Sequence, residues 1–342
     1  MKRSTAIFTI VASLATTLAA PLLHAQTEAD IKAQINKLKP KDFPSQPIEM
    51  TVVYPAGGGM DMTGRLVARS FEKWSGQKAI VNNRTGGAGL VGHTYLATQA
   101  KNDGYQLGVI ANFIFADSMM RAQGRWTYAD VEPLAYINSD GFSVVVSNDG
   151  PYKDKSLKDM LELAKQKPGT IRITTVPGSM FEYMVDQLET ASGAKFLKVP
   201  FQGAAPGNAA LLGNHVDMAV TFYNEVTSLL EAKKVSTIVV TSAERSPFQP
   251  NVPTLNETFG SKDYIWIATR WVAAPKGMPA DRKAYLVEAL NAAIKDPEMQ
   301  AELRKLGTVP DTRLATPAQV AEHLNRLAGL ERDFFTKTGR LK

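Results

Sequence analysis

Two glycine-rich segments have the composition of ligand-binding loops. The first runs from Pro55 to Asp61 as Pro-Ala-Gly-Gly-Gly-Met-Asp, between a β-branched run and a helical pattern. Glycine lets the backbone turn sharply and approach a ligand closely. The unpaired N–H groups and the dipole at the start of the following helix favour an anion. An ordinary tight turn explains this segment equally well, with Asp61 capping the helix.

The second segment, Asn82 to Gly92, repeats this arrangement and contains the pattern GxGxxG from Gly87 to Gly92. A dinucleotide site needs that pattern in the first strand-to-helix turn, followed by a strand that ends in Asp or Glu. Here it occupies the second turn, and the next strand ends at Ala111 and Asn112. We therefore predict no nucleotide and no other cofactor. Two adjacent clusters of backbone amides suit a carboxylate better.

Candidates for catalysis and metal binding are few. Ser179 lies in the segment Pro177 to Phe181, which lacks the second glycine of a nucleophile elbow. The chain has no cysteine, and its histidines and glutamates do not show the spacing of metal ligands. We predict no catalytic residue, no metal site and no enzymatic activity. An exported hydrolase that uses Ser179 remains the alternative.

One arginine stands out because it interrupts an apolar run. Arg270 lies within the segment Tyr264 to Ala274, and a charge in such a segment needs a partner. A structural ion pair with an acid such as Asp263 or Glu225 is the simpler interpretation. The alternative is that its planar guanidinium binds a second carboxylate of the ligand.

The N-terminus and the overall charge limit the location and the partners. Lys2 and Arg3 precede an apolar stretch from Ala6 to Leu23, and Ala25 offers a small residue at a cleavage point. This pattern predicts a cleaved signal peptide and a periplasmic protein, with an uncleaved membrane anchor as the alternative. The formal charge of +6 is spread thinly, without basic runs that contain aromatic residues. Nucleic acid is therefore not an expected partner.

The strands and helices around the two glycine-rich segments follow a regular order. Strand, glycine-rich turn and helix repeat from Ile48 to Ala111, which predicts an α/β fold with parallel strands. The chain is too long for one ordinary core, so we expect two lobes, with a strand at Val144 to Val146 crossing between them. The predicted division is a signal peptide at 1–25, an N-terminal arm at 26–47, a first lobe at 48–145 and 255–342, and a second lobe at 146–254.

Several segments in a fixed order resemble one known family. Between Ile48 and Pro310 the chain is similar to the Bug-type receptors of tripartite tricarboxylate transporters. The segments that carry this resemblance are Tyr54 to Asp61 with Arg65, Val81 to Gly89, Asp103 to Tyr105, Val199 to Gly203, Leu212 to Asp217, Thr241 to Arg245, Val252 to Thr254, and Ala274 to Pro279. Any one of them is weak evidence, whereas the ordered set is specific.

The resemblance implies a fold, a ligand class and partners. The fold is the two-lobed, type II arrangement of periplasmic binding proteins, which closes on a ligand in the cleft between the lobes. The ligand is a small organic carboxylate, and the integral-membrane subunits of a transporter are transient partners of a monomeric receptor. A receptor that presents its ligand to a membrane kinase is the other alternative.

The resemblance also implies binding residues, carried over position by position. In the first lobe they are Tyr54, Ala56, Gly57, Gly58, Asp61, Ala88 and Gly89; in the second lobe they are Gly178, Ser179, Gln202, Gly203, Ala204 and Phe222. Gln202 stands where the family often has a basic residue, and Arg270 interrupts a segment that is usually apolar. These departures fall where side chains select the ligand, so the sequence does not identify the carboxylate.

Overall fold

The computed structural model describes residues 27–262 and 264–341, so the predicted signal peptide and Asp263 lie outside the described residues. The strands are β1 Ile48–Val52, β2 Ala79–Asn83, β3 Gln106–Ala111, β4 Val131–Ser147, β5 Arg172–Thr175, β6 Leu197–Pro200, β7 Ala219–Phe222, β8 Val235–Val240 and β9 Ile267–Pro275. The helices are α1 Glu28–Leu38, α2 Gly59–Ser75, α3 Leu90–Thr98, α4 Phe113–Ala116, α5 Leu157–Gln166, α6 Met180–Ser192, α7 Ala204–Leu212, α8 Tyr223–Glu231, α9 Leu255–Phe259, α10 Ala280–Lys295, α11 Pro297–Lys305 and α12 Pro317–Lys337.

One long strand connects two sheet regions. β1 pairs in parallel with β2 and β3, which confirms the parallel order predicted for this part of the chain. β9 then pairs antiparallel with β3 and with β4. β4 continues beyond that pairing and pairs antiparallel with β7 and β8. The short strand predicted at Val144 to Val146 is therefore the end of a strand of 17 residues.

Alternating side chains place a hydrophobic core on each face of the first sheet. Val52 and Val109 face one core, with Phe71 of α2 and Leu286 of α10. The residues that follow these two valines, Val53 and Ile110, face the opposite core, as period-two alternation requires. A third core fills the second sheet region with buried residues that include Phe142, Val144, Met160, Ile173, Met184 and Met218. The predicted α/β class is confirmed.

Several helix ends follow their local sequence. Gly76 adopts the left-handed conformation, φ 67°, and ends α2. Ser156 and Asp159 form the capping box of α5, and Thr316 caps α12. The sequence pattern also predicts Asp281 as the cap of α10, and this prediction is wrong. The cap position is occupied by Pro279, which leaves Asp281 in the first helical turn, where the dipole favours an acid.

The terminal helices pack against the lobes in different ways. α1 buries Ile35 in the core beneath α2 and α10, so the segment predicted as a polar arm contains a docked helix. α12 places Leu324 against the first sheet and Phe335 in the core of the second sheet region. The last helix therefore spans both regions. The residue boundaries of the two lobes stay a prediction.

Candidate functional site

Four loops, each at the carboxyl end of a strand, make up the candidate site. The first cleft loop is Pro55–Gly58 and the second is Gly86–Gly89. The third is Val176–Ser179 and the fourth is Phe201–Gly203. Each of them precedes a helix, so backbone N–H groups lie at its end.

The first cleft loop leads from β1 into α2 without a side-chain cap. Ala56, Gly57 and Gly58 are exposed, and Gly57 adopts a left-handed φ of 82°. Gly58 occupies the cap position, where it offers no side chain to the N–H groups of the first helical turn. Among the described residues, the N–H groups of Gly59 and Met60 have no protein acceptor. The loop therefore presents donors at the positive end of a helix dipole.

Asp61 holds the first cleft loop in place through hydrogen bonds. Its side chain is buried and accepts hydrogen bonds from the Gly57 N–H at 2.9 Å, from Arg65 Nε at 3.0 Å and from Asn83 Nδ2 at 3.0 Å. Burial acts to raise the pKa of Asp61, but the bonds from Arg65, Gly57 and Asn83 outweigh it and hold that pKa below the ordinary value. Asp61 thus fixes the turn, and direct contact between Asp61 and a ligand stays a prediction.

The second cleft loop packs against Tyr54. Ala88 adopts a left-handed φ of 52°, and Gly89 a φ of 104°. A Cβ on Gly89 would lie 3.1 Å from the Tyr54 hydroxyl and 3.2 Å from His93 Cε1, so this close approach requires glycine. Burial raises the pKa of Tyr54 well above its usual value, and the phenol remains a donor. Tyr54 and Gly89 therefore lie side by side, and ligand contact by Tyr54, Ala88 and Gly89 stays a prediction.

The third cleft loop repeats the geometry of the first. Gly178 has a left-handed φ of 69°, and its N–H binds the Glu182 carboxylate at 2.8 Å. Ser179 caps α6 by accepting from the Phe181 N–H, and its hydroxyl donates to the Val176 carbonyl at 2.7 Å. No histidine contacts this serine among the described residues. Its hydroxyl oxygen therefore caps α6 while its proton is directed at the Val176 carbonyl.

The fourth cleft loop and the end of β7 complete the second side. Gly203 caps α7 in an extended conformation, and a Cβ added to it would meet no described atom within 4 Å. The Gln202 side chain is exposed and Ala204 is buried. Phe222 is buried and stacks on Phe142 with a centroid distance of 4.5 Å. Phe222 thus belongs to a buried aromatic cluster, whereas the Gln202 side chain is accessible to a ligand.

The loops of the two sides approach each other. A Cβ on Gly59, at the start of α2, would lie 2.9 Å from Nδ2 of Asn224, at the start of α8. The guanidinium of Arg121 donates to the carbonyls of Gly87 and Gly178, which belong to the second and third cleft loops. The structure therefore brings together loops that lie far apart in the chain.

Arg270 forms an ion pair with an acid that the sequence did not indicate. Its guanidinium binds Asp140 on the neighbouring strand β4, and its side chain is buried. Glu225 is one of the partners considered from the sequence, but its carboxylate accepts from the Phe222 N–H at 3.1 Å and is not in the ion pair. The guanidinium also lies 5.7 Å from the Phe222 ring centroid. The ion-pair interpretation holds with a different acid, and ligand contact by Arg270 stays a prediction.

A buried network behind the second cleft loop has no obvious signature in the sequence. Asp117 is buried, and its two oxygens lie 2.7 Å from His93 Nδ1 and 2.7 Å from Arg121 Nη1. The signal that could have found it is the acid and arginine four residues apart, just beyond the end of β3. Ligands of α/β sheets bind at that end of the strands.

The fold and the converging loops define a class of protein, the two-lobed periplasmic binding proteins. The model of the tripartite tricarboxylate transporter family receptor matches residues 63–326, and the chain belongs to this family. This confirms the resemblance and the predicted fold. Among the residues that the structure describes, no helix combines the length and the apolarity needed to cross a membrane.

Relatives and solved structures agree with this assignment. The UPF0065 protein in the TAR-I ttuE-ttuC' intergenic region of Agrobacterium vitis is 32% identical over 288 residues, which are 81% of this chain and 80% of that protein. The periplasmic binding protein BugD is 28% identical, with a TM-score of 0.77 over 88% of this chain and 100% of that chain. Two proteins of Rhodopseudomonas palustris share the fold. MatC with bound malate has a TM-score of 0.75 at 23% identity, over 85% of this chain and 99% of that chain. The other protein, solved with adipate, has a TM-score of 0.76 at 24% identity, over 87% of this chain and 99% of that chain.

Proposed function

We propose that this receptor captures a small organic carboxylate between the four cleft loops and delivers it to the membrane subunits of a tripartite transporter. The observation that carries this proposal is the pair of N–H groups on Gly59 and Met60, which have no acceptor in the described part of the chain. An anion can bind such donors directly, and the aligned peptide dipoles of a 17-residue helix stabilise its charge.

The electrostatics of the cleft support an anion over a cation. The loops offer backbone N–H donors and the Tyr54 phenol, whereas the nearby acids Asp61 and Glu182 are already occupied by loop amides. The relatives solved with malate and with adipate carry dicarboxylates, so we include this class first among the ligands to test. Gln202 and Arg270 are proposed as side chains that choose among carboxylates.

We further propose that the protein is not an enzyme and acts as a monomeric periplasmic receptor after cleavage of its signal peptide. The hydrogen bond from the Ser179 hydroxyl to a carbonyl argues against the exported hydrolase, because a nucleophilic serine must give its proton to a base. No observation favours the alternative of a receptor for a membrane kinase. Contacts with transporter subunits are transient in this proposal.

The test is to identify the ligand on the purified protein and then to measure its effect on stability. Mass spectrometry of ligand released from natively purified protein comes first, followed by a thermal-shift screen of mono-, di- and tricarboxylates. A carboxylate at one hundred times its Kd adds about 2.7 kcal/mol to the free energy of unfolding, or roughly 5 °C in Tm. The matched control is the corresponding amide. Stabilisation by the amide but by none of the acids would contradict the proposal.

Location and oligomeric state need separate measurements. N-terminal sequencing of protein from the periplasmic fraction should find Gln26, or a residue within a few positions of it, at the mature end. Light scattering coupled to size exclusion should give the mass of one chain. Intact Met1 on cytoplasmic protein would refute export, and a stable dimer would refute the monomer.

A further inference from the structure

Arg121 lies between the two sides of the cleft and contacts a loop on each of them. It ends a π-helical turn, Asp117–Arg121, that follows β3 and α4. Its Nη1 donates to the carbonyl of Gly178 at 3.2 Å, and its Nη2 donates to the carbonyl of Gly87. A single guanidinium thus holds the second and third cleft loops together. Short π-helical turns are frequent at functional sites.

The guanidinium of Arg121 is fixed from behind by buried groups. Nη1 also donates to Asp117 Oδ1 at 2.7 Å, and Asp117 Oδ2 lies 2.7 Å from His93 Nδ1. Because a carboxylate only accepts, His93 donates from Nδ1 in this bond. His93 and Asp117 are both buried. The anchor of Arg121 therefore lies next to α3 and the second cleft loop, and its bond to Gly178 reaches the third.

The carbonyl that Arg121 binds in the second cleft loop belongs to the peptide that also carries the Ala88 N–H. Carbonyl and N–H of one trans peptide point in opposite directions, so holding the Gly87 carbonyl also fixes the direction of the Ala88 N–H. Among the residues described, the Ala88 N–H has no protein acceptor. Ala88 is one of the positions that the resemblance implies for ligand binding. Arg121 can therefore orient the Ala88 N–H without touching the ligand itself.

We propose that Arg121 is a positioning residue that couples the two sides of the cleft. Anchored by Asp117 and His93, it binds the Gly178 carbonyl only when the lobes are close, and this bond favours the closed state. A group that interacts with one state alone shifts the equilibrium between the states by the free energy of that interaction. The closure part of this inference is independent of the ligand, whereas its effect on affinity rests on the proposed carboxylate function.

The test measures the distance between the lobes. The natural sequence has no cysteine, so the substitutions Lys78→Cys and Lys158→Cys place spin labels at two exposed positions, one in each predicted lobe. Double electron–electron resonance on the ligand-free protein should show a larger fraction of long distances in Arg121→Gln than in the parent. Arg121→Lys keeps the charge but lacks the planar fork, and should fall between them. Arg125→Gln is the matched control, because the Arg125 guanidinium bonds to the nearby Ala122 carbonyl on its own side of the cleft.

Affinity is measured on the same variants with malate and adipate as probes. Loss of the coupling should weaken binding of whichever probe the parent binds by about tenfold or more in Arg121→Gln, chiefly through faster dissociation. If the parent binds neither probe, the proposed ligand class fails for these acids while the distance measurement still tests the coupling. Distance distributions in Arg121→Gln and Arg121→Lys that coincide with the parent would overturn the inference, even if their Tm were lower. That result would make Arg121 a purely structural residue.

Discussion

The first and third cleft loops share the same local arrangement but are held in place by different contacts. Each follows a strand, contains a left-handed glycine and places a carboxylate in the first turn of the next helix. Asp61 binds the Gly57 N–H at 2.9 Å, and Glu182 binds the Gly178 N–H at 2.8 Å. In both cases the acid lies four residues after the glycine.

The difference lies in what else holds each loop. Asp61 is 2% exposed and also accepts from Arg65 and Asn83, which belong to the same side of the cleft. Glu182 is half-buried, and the carbonyl of Gly178 receives its bond from Arg121 on the other side. The first loop is therefore preformed within its lobe, whereas the third has one additional contact, which comes from across the cleft. Preformed donors reduce the entropy that binding costs.

The largest effect that tests this comparison is expected from removing the two carboxylates. Asp61→Ala should lower the free energy of unfolding by about 3 kcal/mol, because the Gly57 N–H and the Asn83 amide lose their buried acceptor. Glu182→Ala should cost about 1 kcal/mol, since among the described residues only the Gly178 N–H donates to the Glu182 carboxylate. Urea unfolding of the ligand-free variants measures both values.

Asp159→Ala serves as the control, because Asp159 has the same capping position on an exposed helix start of the second lobe. Asp159→Ala should lower the free energy of unfolding by about 1 kcal/mol. Equal losses for Asp61→Ala and Glu182→Ala would show that the two loops are held equally firmly, which would break the comparison.

The next effect concerns ligand affinity. Gly58→Val places a side chain where an anion approaches the start of α2 and should reduce carboxylate affinity about thirtyfold, or about 2 kcal/mol, if one charge-assisted bond is lost. The backbone tolerates valine, because Gly58 has a φ of −78° and its nearest neighbour would be the Pro55 carbonyl at 3.4 Å. Isothermal titration with the ligand found by mass spectrometry measures the loss.

Gly203→Val is the matched variant in the fourth cleft loop. Gly203 is extended and its Cβ position is open, so this substitution should also fold. A smaller affinity loss than in Gly58→Val would sharpen the comparison, because the less firmly held side can move to accommodate the side chain. Unchanged affinity in a folded Gly58→Val protein would remove the first cleft loop from the binding site.

The pH dependence should follow from Asp61. Its pKa is lower in the folded protein than in the unfolded chain, so its contribution to stability is present above about pH 4 and is lost as the pH falls through the folded pKa. The difference in unfolding free energy between the parent and Asp61→Asn should therefore shrink below about pH 4, by at most about 1.4 kcal/mol per pH unit. Urea unfolding from about pH 7 to about pH 3 measures it. A difference that stays constant over this range would mean that the Asp61 carboxylate is not stabilised by its donors.

Much of the fold could be predicted because it is encoded locally. The left-handed Gly76 after an apolar periodic segment, and the pairing of Ser156 with Asp159, each mark a helix end within a few residues. β4 is recognisable only near its end, because Pro133, Asn138 and Asp140 interrupt its apolar pattern. Pro133 and Asn138 lie where the pairing with β9 is irregular, and that irregularity belongs to the tertiary structure.

The part of the candidate site that could be predicted from the sequence is the part formed by backbone groups. Glycine loops before helices are visible in the sequence, and the structure places Tyr54 next to Gly89. The partner of Arg270 could not be derived, because Asp140 is 130 positions away in the chain and only strand pairing brings it near. The contacts of Arg121 could not be derived for the same reason, since they involve two carbonyls from distant loops.

The smallest effect concerns the two left-handed glycines themselves. Gly57→Ala and Gly178→Ala should each destabilise the protein by about 1 kcal/mol, because a Cβ strains backbone at positive φ. Space is not limiting, since no described atom lies within 4 Å of a Cβ on Gly57 and the nearest atom to one on Gly178 is Arg121 Cζ at 3.8 Å. The two losses should therefore agree within error in urea unfolding, although the carboxylates beneath the loops differ. A clearly larger loss at Gly178 would mean that the methyl group displaces Arg121, so that the third loop depends on this arginine even without ligand. A clearly larger loss at Gly57 would mean that strain in the preformed loop is transmitted to Asp61 and its donors rather than absorbed by the exposed backbone.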